Sequence, residues 1–127
     1  MIPRSVWLLV GLLAGCSADD GPRRYTVSGT VTYAGQPVPT GEVRFEPDPE
    51  QGARGPGAFA RIQGGQFRTE PGWGAVAGPH VVRVQAGSGR NASVADPVGD
   101  PLIPGEHRTK LLLPAADSTQ EIVIPAR

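Results

Sequence analysis

The sequence predicts an all-β protein: a single small antiparallel β-sandwich of about seven strands behind a short N-terminal segment. Short runs of alternating apolar and polar residues recur along the chain, and no stretch has a helical period. Eighteen glycines and fourteen prolines cluster between these runs, where they mark turns. The 127 residues are enough for one domain with its own hydrophobic core.

The N-terminal segment ends at the only cysteine of the chain, Cys16. Its apolar run after Arg4 has about ten residues, whereas a membrane-spanning helix needs about twenty. Leu13, Ala14 and Gly15 precede the cysteine, and the sequence becomes polar directly after it. This arrangement resembles the signal peptide of bacterial lipoproteins, in which small residues fit a signal peptidase and the following cysteine receives the lipid.

The lipoprotein resemblance divides the chain into three parts. It implies that residues 1–15 are a cleaved signal peptide, that residues 16–24 are the lipidated Cys16 and a tether, and that residues 25–127 are the β domain. It also implies lipid anchoring in the cell envelope, with the domain on the periplasmic or extracellular side. The alternatives are an ordinary cleaved signal or an unprocessed anchor. The eight tether residues after Cys16 span at most about 25–30 Å, which predicts a domain close to the membrane.

The predicted strands follow one another at short intervals. Tyr25 to Tyr33 alternates most clearly, and Gly29 interrupts its apolar face, which predicts a bulge or a close approach of another backbone. Turn-rich stretches are predicted at 34–39, 47–57 and 70–77. The further predicted strands are 42–46, 58–62, 66–69, 78–85, 110–113 and 120–124.

Three connections carry specific predictions. Gln63-Gly64-Gly65 predicts a short hairpin between its flanking strands. The last two strands are expected to pair across the turn 114–119. Residues 86–108 form the longest irregular region, and a loop of that length in a small domain indicates either that part of it pairs at a sheet edge or that it is functional.

Alternation along the strands also predicts the core. Phe59 and Phe67 are expected to be buried anchors on either side of the hairpin. The predicted core consists of the inward-facing apolar residues of all strands: Val27, Val31, Val43, Phe45, Phe67, Val82, Val84, Leu111, Leu113, Ile122 and Ile124.

Composition excludes several classes of function. The formal net charge is zero, so the chain lacks the basic patch of a nucleic-acid-binding protein. A single cysteine allows no disulfide within the chain, and a lipidated cysteine would leave no free thiol in the envelope.

The run from Val27 to Val31, Val-Ser-Gly-Thr-Val, continues into the turn Gly35-Gln36-Pro37-Val38. This string resembles the opening of carboxypeptidase-regulatory-like and transthyretin-like sandwich domains. The segments 78–80 and 102–104, Gly-Pro-His and Leu-Ile-Pro, resemble parts of short bacterial envelope lipoproteins built from one such domain. The resemblance covers roughly residues 25–125 and implies a β-sandwich and an envelope location, but it brings no catalytic residues.

None of the candidate groups of residues indicates an enzymatic activity, a bound metal or a cofactor. The two histidines, His80 and His107, could in principle bind a metal together with Asp96, Asp100 or Glu106. The sequence spacing of these residues is not the tight spacing typical of metal ligands. Transthyretin-like hydrolases share the sandwich, and their activity is linked to histidines near the start and a Tyr-Arg-Gly-Ser tail. Here the first histidine is His80 and the chain ends Pro-Ala-Arg, which disfavours that activity. The remaining pair, Lys110 and Asn91, is expected to be two exposed side chains rather than an isopeptide cross-link.

The predicted function is therefore a non-enzymatic structural or interaction module of the envelope, with a membrane partner through Cys16 and no nucleic-acid partner. The alternative is a glycan- or peptide-binding module, since loops at the ends of sandwiches bind ligands. Trp73 and His80 are the candidate ligand contacts. Trp73 is expected to fold down as a lid over one end of the sandwich, because large aromatic residues are usually buried; the alternative is an exposed anchor for a sugar ring or partner chain.

Overall fold

The computed structural model of the protein describes residues 22–126. Leu13, Ala14, Gly15 and Cys16 lie outside these residues, and their roles stay predictions. The described chain is all-β, as predicted, apart from a single turn of 310 helix at Pro49–Gln51. Its strands are β1 (Val27–Tyr33), β2 (Gln36–Pro37), β3 (Thr40–Pro47), β4 (Ala58–Gln63), β5 (Gln66–Arg68), β6 (Gly78–Gly87), β7 (His107–Leu113) and β8 (Ser118–Ile124).

The strands form one curled, mostly antiparallel sheet. Their order is β2-β1-β5-β4-β3-β6-β7, and β8 pairs with β1. Strand β1 pairs with β2 and β5 at different points along its length, while β8 runs parallel to all of β1. Because the same β1 residues pair with β8 and with β2 or β5, β8 must lie on the opposite side of β1. Strand β1 is therefore internal to the sheet.

The predicted terminal hairpin across residues 114–119 is wrong. Strand β7 pairs with β6, whereas β8 pairs with β1, in parallel. The connection from Leu113 to Ser118 can span at most about 18 Å, so the sheet must curl until its two edges approach. The alternating sequence of β8 buries Ile122 and Ile124 whether the strand pairs with β7 or with β1. The alternation alone therefore could not identify the strand beside β8.

Gly29 confirms the close approach predicted from its position in β1. A β-carbon at this residue would lie 1.7 Å from the carbonyl oxygen of Gln120 on β8. Val27 and Val31 on either side are buried. Glycine thus lets the parallel partner come into pairing distance while the strand keeps its apolar face.

The short hairpin between β4 and β5 is also confirmed. Gly64 and Gly65 have φ of 56° and 78°, the pair of left-handed conformations that a tight hairpin turn requires. Pairing beyond the turn extends only over Gln63 with Gln66 and Ile62 with Phe67. The two strands then separate, with β4 continuing beside β3 and β5 beside β1.

The core matches the prediction closely. Ten of the eleven predicted residues are buried, and Leu111 is partly buried and packs against them. The expectation for Phe59 is wrong, because its side chain is 43% exposed. Ala58, Ala60 and Ile62 occupy the inner face of β4, and strict alternation places Phe59 on the outer face.

Part of the long loop 86–108 pairs with a strand, which is one of the two alternatives predicted for it. Strand β6 continues to Gly87, which forms a β-bridge with Pro101. The backbone nitrogen of Ser88 donates to the carbonyl of Asp100 at 2.8 Å, and Ile103 is buried. The loop therefore folds back along the end of β6 and contributes to the core.

Candidate functional site

The side chain of Trp73 projects from the domain. It is 66% exposed, so the predicted lid is wrong. The preceding residues explain this position: Pro71 and Gly72, the latter with φ of 80°, form a turn closed by the backbone nitrogen of Trp73, which donates to the carbonyl of Glu70 at 2.9 Å. Proline followed by glycine with positive φ is the signature of a type II turn. The turn carries Trp73 outward instead of over the core.

The backbone after Trp73 is fixed as well. Tyr25 and Ala75 exchange two backbone hydrogen bonds of 2.8 and 2.9 Å. Gly74 packs so closely that a β-carbon there would lie 1.9 Å from the carbonyl oxygen of Tyr25. Trp73 is therefore flanked on both sides by hydrogen-bonded backbone while its ring remains largely in solvent.

Trp73 lines a cavity of about 540 Å³ on the outer surface of the sheet. The guanidinium carbon of Arg24 lies 5.3 Å from the centre of the indole ring, a cation–π distance. Phe59 supplies a second aromatic side chain. The rest of the lining is mainly charged: Glu42, Arg44, Glu46 and Glu70.

A second cavity of about 620 Å³ adjoins the first and shares Phe59 and Glu70 with it. It lies where β4 and β5 separate after their two paired residues. Most of its lining residues are polar, including Ser28, Thr30, Arg61, Gln63, Gln66, Arg68 and Thr119. We call the two cavities together the Trp73 groove.

The carboxylates that β3 contributes to the groove are ion-paired. Glu42 lies 3.8 Å from Arg44, and Glu46 lies 3.2 Å from Arg83. Arg83 also donates to Glu106 at 2.8 Å. The hydrogen bond to Glu106, with the charge of Glu46, raises the pKa of Arg83 above its usual value despite partial burial. Each β3 glutamate on this wall of the groove therefore lies beside an arginine of opposite charge.

His80 does not join Trp73. It faces the core side of β6, is 1% exposed, and lines neither cavity of the groove. Its Nδ1 lies 2.8 Å from the carbonyl oxygen of Gly78. Because a carbonyl oxygen only accepts, Nδ1 is the donor in this hydrogen bond. Nε2 is buried with no hydrogen-bond partner among the described residues.

The remaining candidate pair, Lys110 and Asn91, is engaged with different partners. Lys110 lies 3.6 Å from Asp48 and 3.8 Å from Glu50, whereas the side-chain amide of Asn91 donates to Asp100 at 2.9 Å. Within residues 22–126, no three histidine, cysteine or acidic side chains are grouped as metal ligands. In the same part of the chain, no helix has the length and hydropathy to cross a bilayer.

Sequence reasoning found Trp73 but not its groove. Pro71-Gly72 directly before the tryptophan is a turn signal that could have indicated an outward side chain. The exposed face of Phe59 could have been read from alternation with its alanine neighbours. The separation of β4 from β5 has no local signal, because it depends on the strands paired on their other sides.

No protein-family model matches the chain, and neither a curated protein nor a solved structure matches it.

Proposed function

We propose that this protein is a cell-envelope lipoprotein, anchored to the membrane by a lipid on Cys16, whose β domain is a non-enzymatic interaction module. The observation that carries the proposal is the sequence Leu13-Ala14-Gly15-Cys16, placed after a short apolar run and before an abruptly polar segment. Stable anchoring by lipid takes two acyl-type signals, which a lipid-modified N-terminal cysteine can supply.

The way the chain enters the domain indicates which end of it would face the membrane. Directly after the proposed tether, Tyr25 bonds to Ala75, and the backbone nitrogen of Thr26 donates to Asp117 at 2.9 Å. Arg24, the last tether residue, lies against Trp73. If Cys16 carries the lipid, the Trp73 groove lies at the end of the domain where the tether enters, within about 25–30 Å of the lipid.

We further propose that the curled sheet is a two-layer sandwich of the transthyretin-like kind. One layer would consist of β8, β1, β2 and β5, and the other of β4, β3, β6 and β7. The β4–β5 hairpin would join the layers at one side and residues 114–117 at the other. Contact between the rings of Phe45 on β3 and Phe67 on β5, with centroids 5.9 Å apart, supports two faces packed on each other.

The groove favours binding over catalysis. Its β3 carboxylates are each already ion-paired with an arginine. Its exposed aromatic residues offer flat apolar contact area, which anchors partners. An interaction module that binds an envelope glycan or peptide through Trp73 is the more specific form of the proposal.

Metabolic labelling tests the anchor. Cells that express the wild-type protein with an alkyne fatty acid should yield labelled protein in the membrane fraction. Cys16→Ser should lose the label, keep its signal peptide or become soluble, and no longer resist a carbonate wash. Ser17→Ala is the matched control and should behave as wild type. Unlabelled wild-type protein, or a Cys16→Ser variant that still resists the wash, would contradict the proposal.

A further inference from the structure

We propose that the Trp73 groove binds a linear, neutral oligosaccharide. This inference rests on the proposed function only in taking the domain as an interaction module, and it does not depend on the lipid at Cys16.

Trp73 provides the first platform. A large aromatic ring that is two-thirds exposed contributes little to the core, yet its backbone is fixed by the turn from Glu70 and by the Tyr25–Ala75 bridge. A rigid mount means that little conformational freedom is lost when a ligand covers the ring. The apolar C–H face of a sugar ring suits such a flat surface. The guanidinium of Arg24 beside the indole can donate to the hydroxyls at the ring edge.

Phe59 provides a second platform. Its outward side chain lies at the junction of the two cavities. Two aromatic side chains along one continuous groove fit a ligand with several rings in a row. The cavity volumes of about 540 and 620 Å³ are each in the range of small-molecule sites, so the groove accommodates more than one sugar unit.

The second cavity supplies partners for hydroxyl groups. Arg61 and Arg68 offer several donors each, and Gln63 and Gln66 offer both donors and acceptors. Ser28, Thr30 and Thr119 add hydroxyls. A sugar hydroxyl both donates and accepts, so a lining that mixes the two kinds of group can satisfy it.

The backbone of β4 adds further groups. Gln63 pairs with Gln66 across a two-residue turn, so its backbone groups point toward β5. By alternation, those of Arg61 and Phe59 point to the same side, where pairing with β5 has ended. These peptide groups face the second cavity and can bond to a ligand lying along β4.

The charge balance of the groove favours a neutral ligand. Four arginines stand against three glutamates: Arg24, Arg44, Arg61 and Arg68 against Glu42, Glu46 and Glu70. A lining that mixes positive and negative side chains neither attracts nor repels a charged ligand strongly. Polyanions, by contrast, are recognised by clusters of cationic side chains. Neutral chains with apolar faces and hydroxyl edges match the combination best.

Calorimetric titration of the full chain tests the inference. The protein is solubilised in a zwitterionic detergent without a sugar headgroup, because a glycosidic detergent would compete. The probes are linear hexasaccharides of glucose, N-acetylglucosamine, mannose and xylose. At least one should bind, and at least about tenfold more tightly than its disaccharide, because the longer chain can extend through both cavities.

Variants assign the binding to the groove. Trp73→Ala and Phe59→Ala should each weaken binding about tenfold or more with an unchanged melting temperature, and Trp73→Phe should retain part of the affinity. Leu112→Ala, which alters a residue 77% exposed on β7, is the matched control and should bind as wild type. If Trp73→Ala fails to fold, Phe59→Ala and Trp73→Phe still decide the result.

Two results would overturn the inference: no hexasaccharide binds at millimolar concentration, or binding persists unchanged in the Trp73 and Phe59 variants. Retention of solubilised envelope material separates this failure from failure of the proposed function. If Trp73→Ala abolishes retention while no hexasaccharide binds, the groove is an interaction site for a ligand other than a neutral oligosaccharide and the saccharide inference is wrong. If Cys16 carries no lipid but hexasaccharides bind, the anchor is wrong and the saccharide inference holds.

Discussion

Asp48 is a carboxylate buried to 1% exposure at the start of the 310 helix. It accepts from the backbone nitrogen of Glu50 at 3.0 Å and from the side-chain amide of Gln51 at 2.9 Å, and Lys110 lies 3.6 Å away. The hydrogen bond from Gln51 is the main cause that lowers the pKa of Asp48, assisted by Glu50 and Lys110 and opposed by burial. The charged form is therefore the one that the fold stabilises.

This lowered pKa predicts a pH-dependent contribution to stability. The contribution is fully present above the unfolded pKa of about 3.9 and is lost as the pH falls through the lower folded value. Asp48→Asn should lower the urea midpoint clearly at pH 7 and much less near pH 2–3. Glu50→Gln, at a largely exposed side chain, is the control and should change little. If Asp48→Asn lowers the urea midpoint equally at both pH values, the charge of Asp48 is not what stabilises the fold.

At the scale of elements, the contact between β1 and β8 depends on Gly29. Gly29→Ala would place a methyl group 1.7 Å from the carbonyl oxygen of Gln120, so β8 would have to shift from its register. Because β8 buries Ile122 and Ile124, we expect a loss of about 2–4 kcal/mol in the free energy of unfolding. Urea denaturation measures it.

Thr30→Ala on the same strand is the control for Gly29→Ala. Thr30 is exposed, and its replacement should change the free energy of unfolding by less than about 0.5 kcal/mol. Equal stability of the two variants would mean that β8 does not approach β1 at Gly29.

The elements also show which features a sequence can predict. Alternation identified the buried face of β1, β3 and β6 because side-chain direction is local and has a period of two residues. It could not identify the partner of β8, because the same buried face fits a hairpin with β7 or a parallel pair with β1. Turn chemistry predicted the β4–β5 hairpin, but the residue at which its pairing ends is set by β1 and β3 on the outer sides.

The candidate site was predictable only in part for the same reason. Trp73 stands out in the sequence as an aromatic residue among glycines, and Pro71-Gly72 specifies its turn. The groove combines it with side chains from β1, β3, β4, β5 and β8, which come together only when the sheet curls. Residue type therefore indicated a contact, whereas the ligand surface is a property of the tertiary fold.

At the scale of the whole molecule, the curled sheet encloses one continuous core. Buried residues from β1, β3 to β8 and the long loop all belong to the same cluster. A core shared by all these elements predicts that both edges of the sheet lose structure together in a two-state transition. Val31 on the internal strand β1 is fully buried and is the residue at which to test this.

Val31→Asp should unfold the entire described domain. An unpaired carboxylate at this position costs several kcal/mol, which is comparable to the total stability of a small domain. Far-ultraviolet circular dichroism should lose its strand signal. Hydrogen exchange should lose protection in β7 as completely as in β8, although four strands separate β1 from β7 along the sheet order. Val123→Asp, at a 55% exposed position on β8, is the control and should remain folded. Protection that survives in β3, β6 and β7 while β1, β5 and β8 exchange freely would mean that the two halves of the sheet fold independently, and the single cooperative core would be wrong.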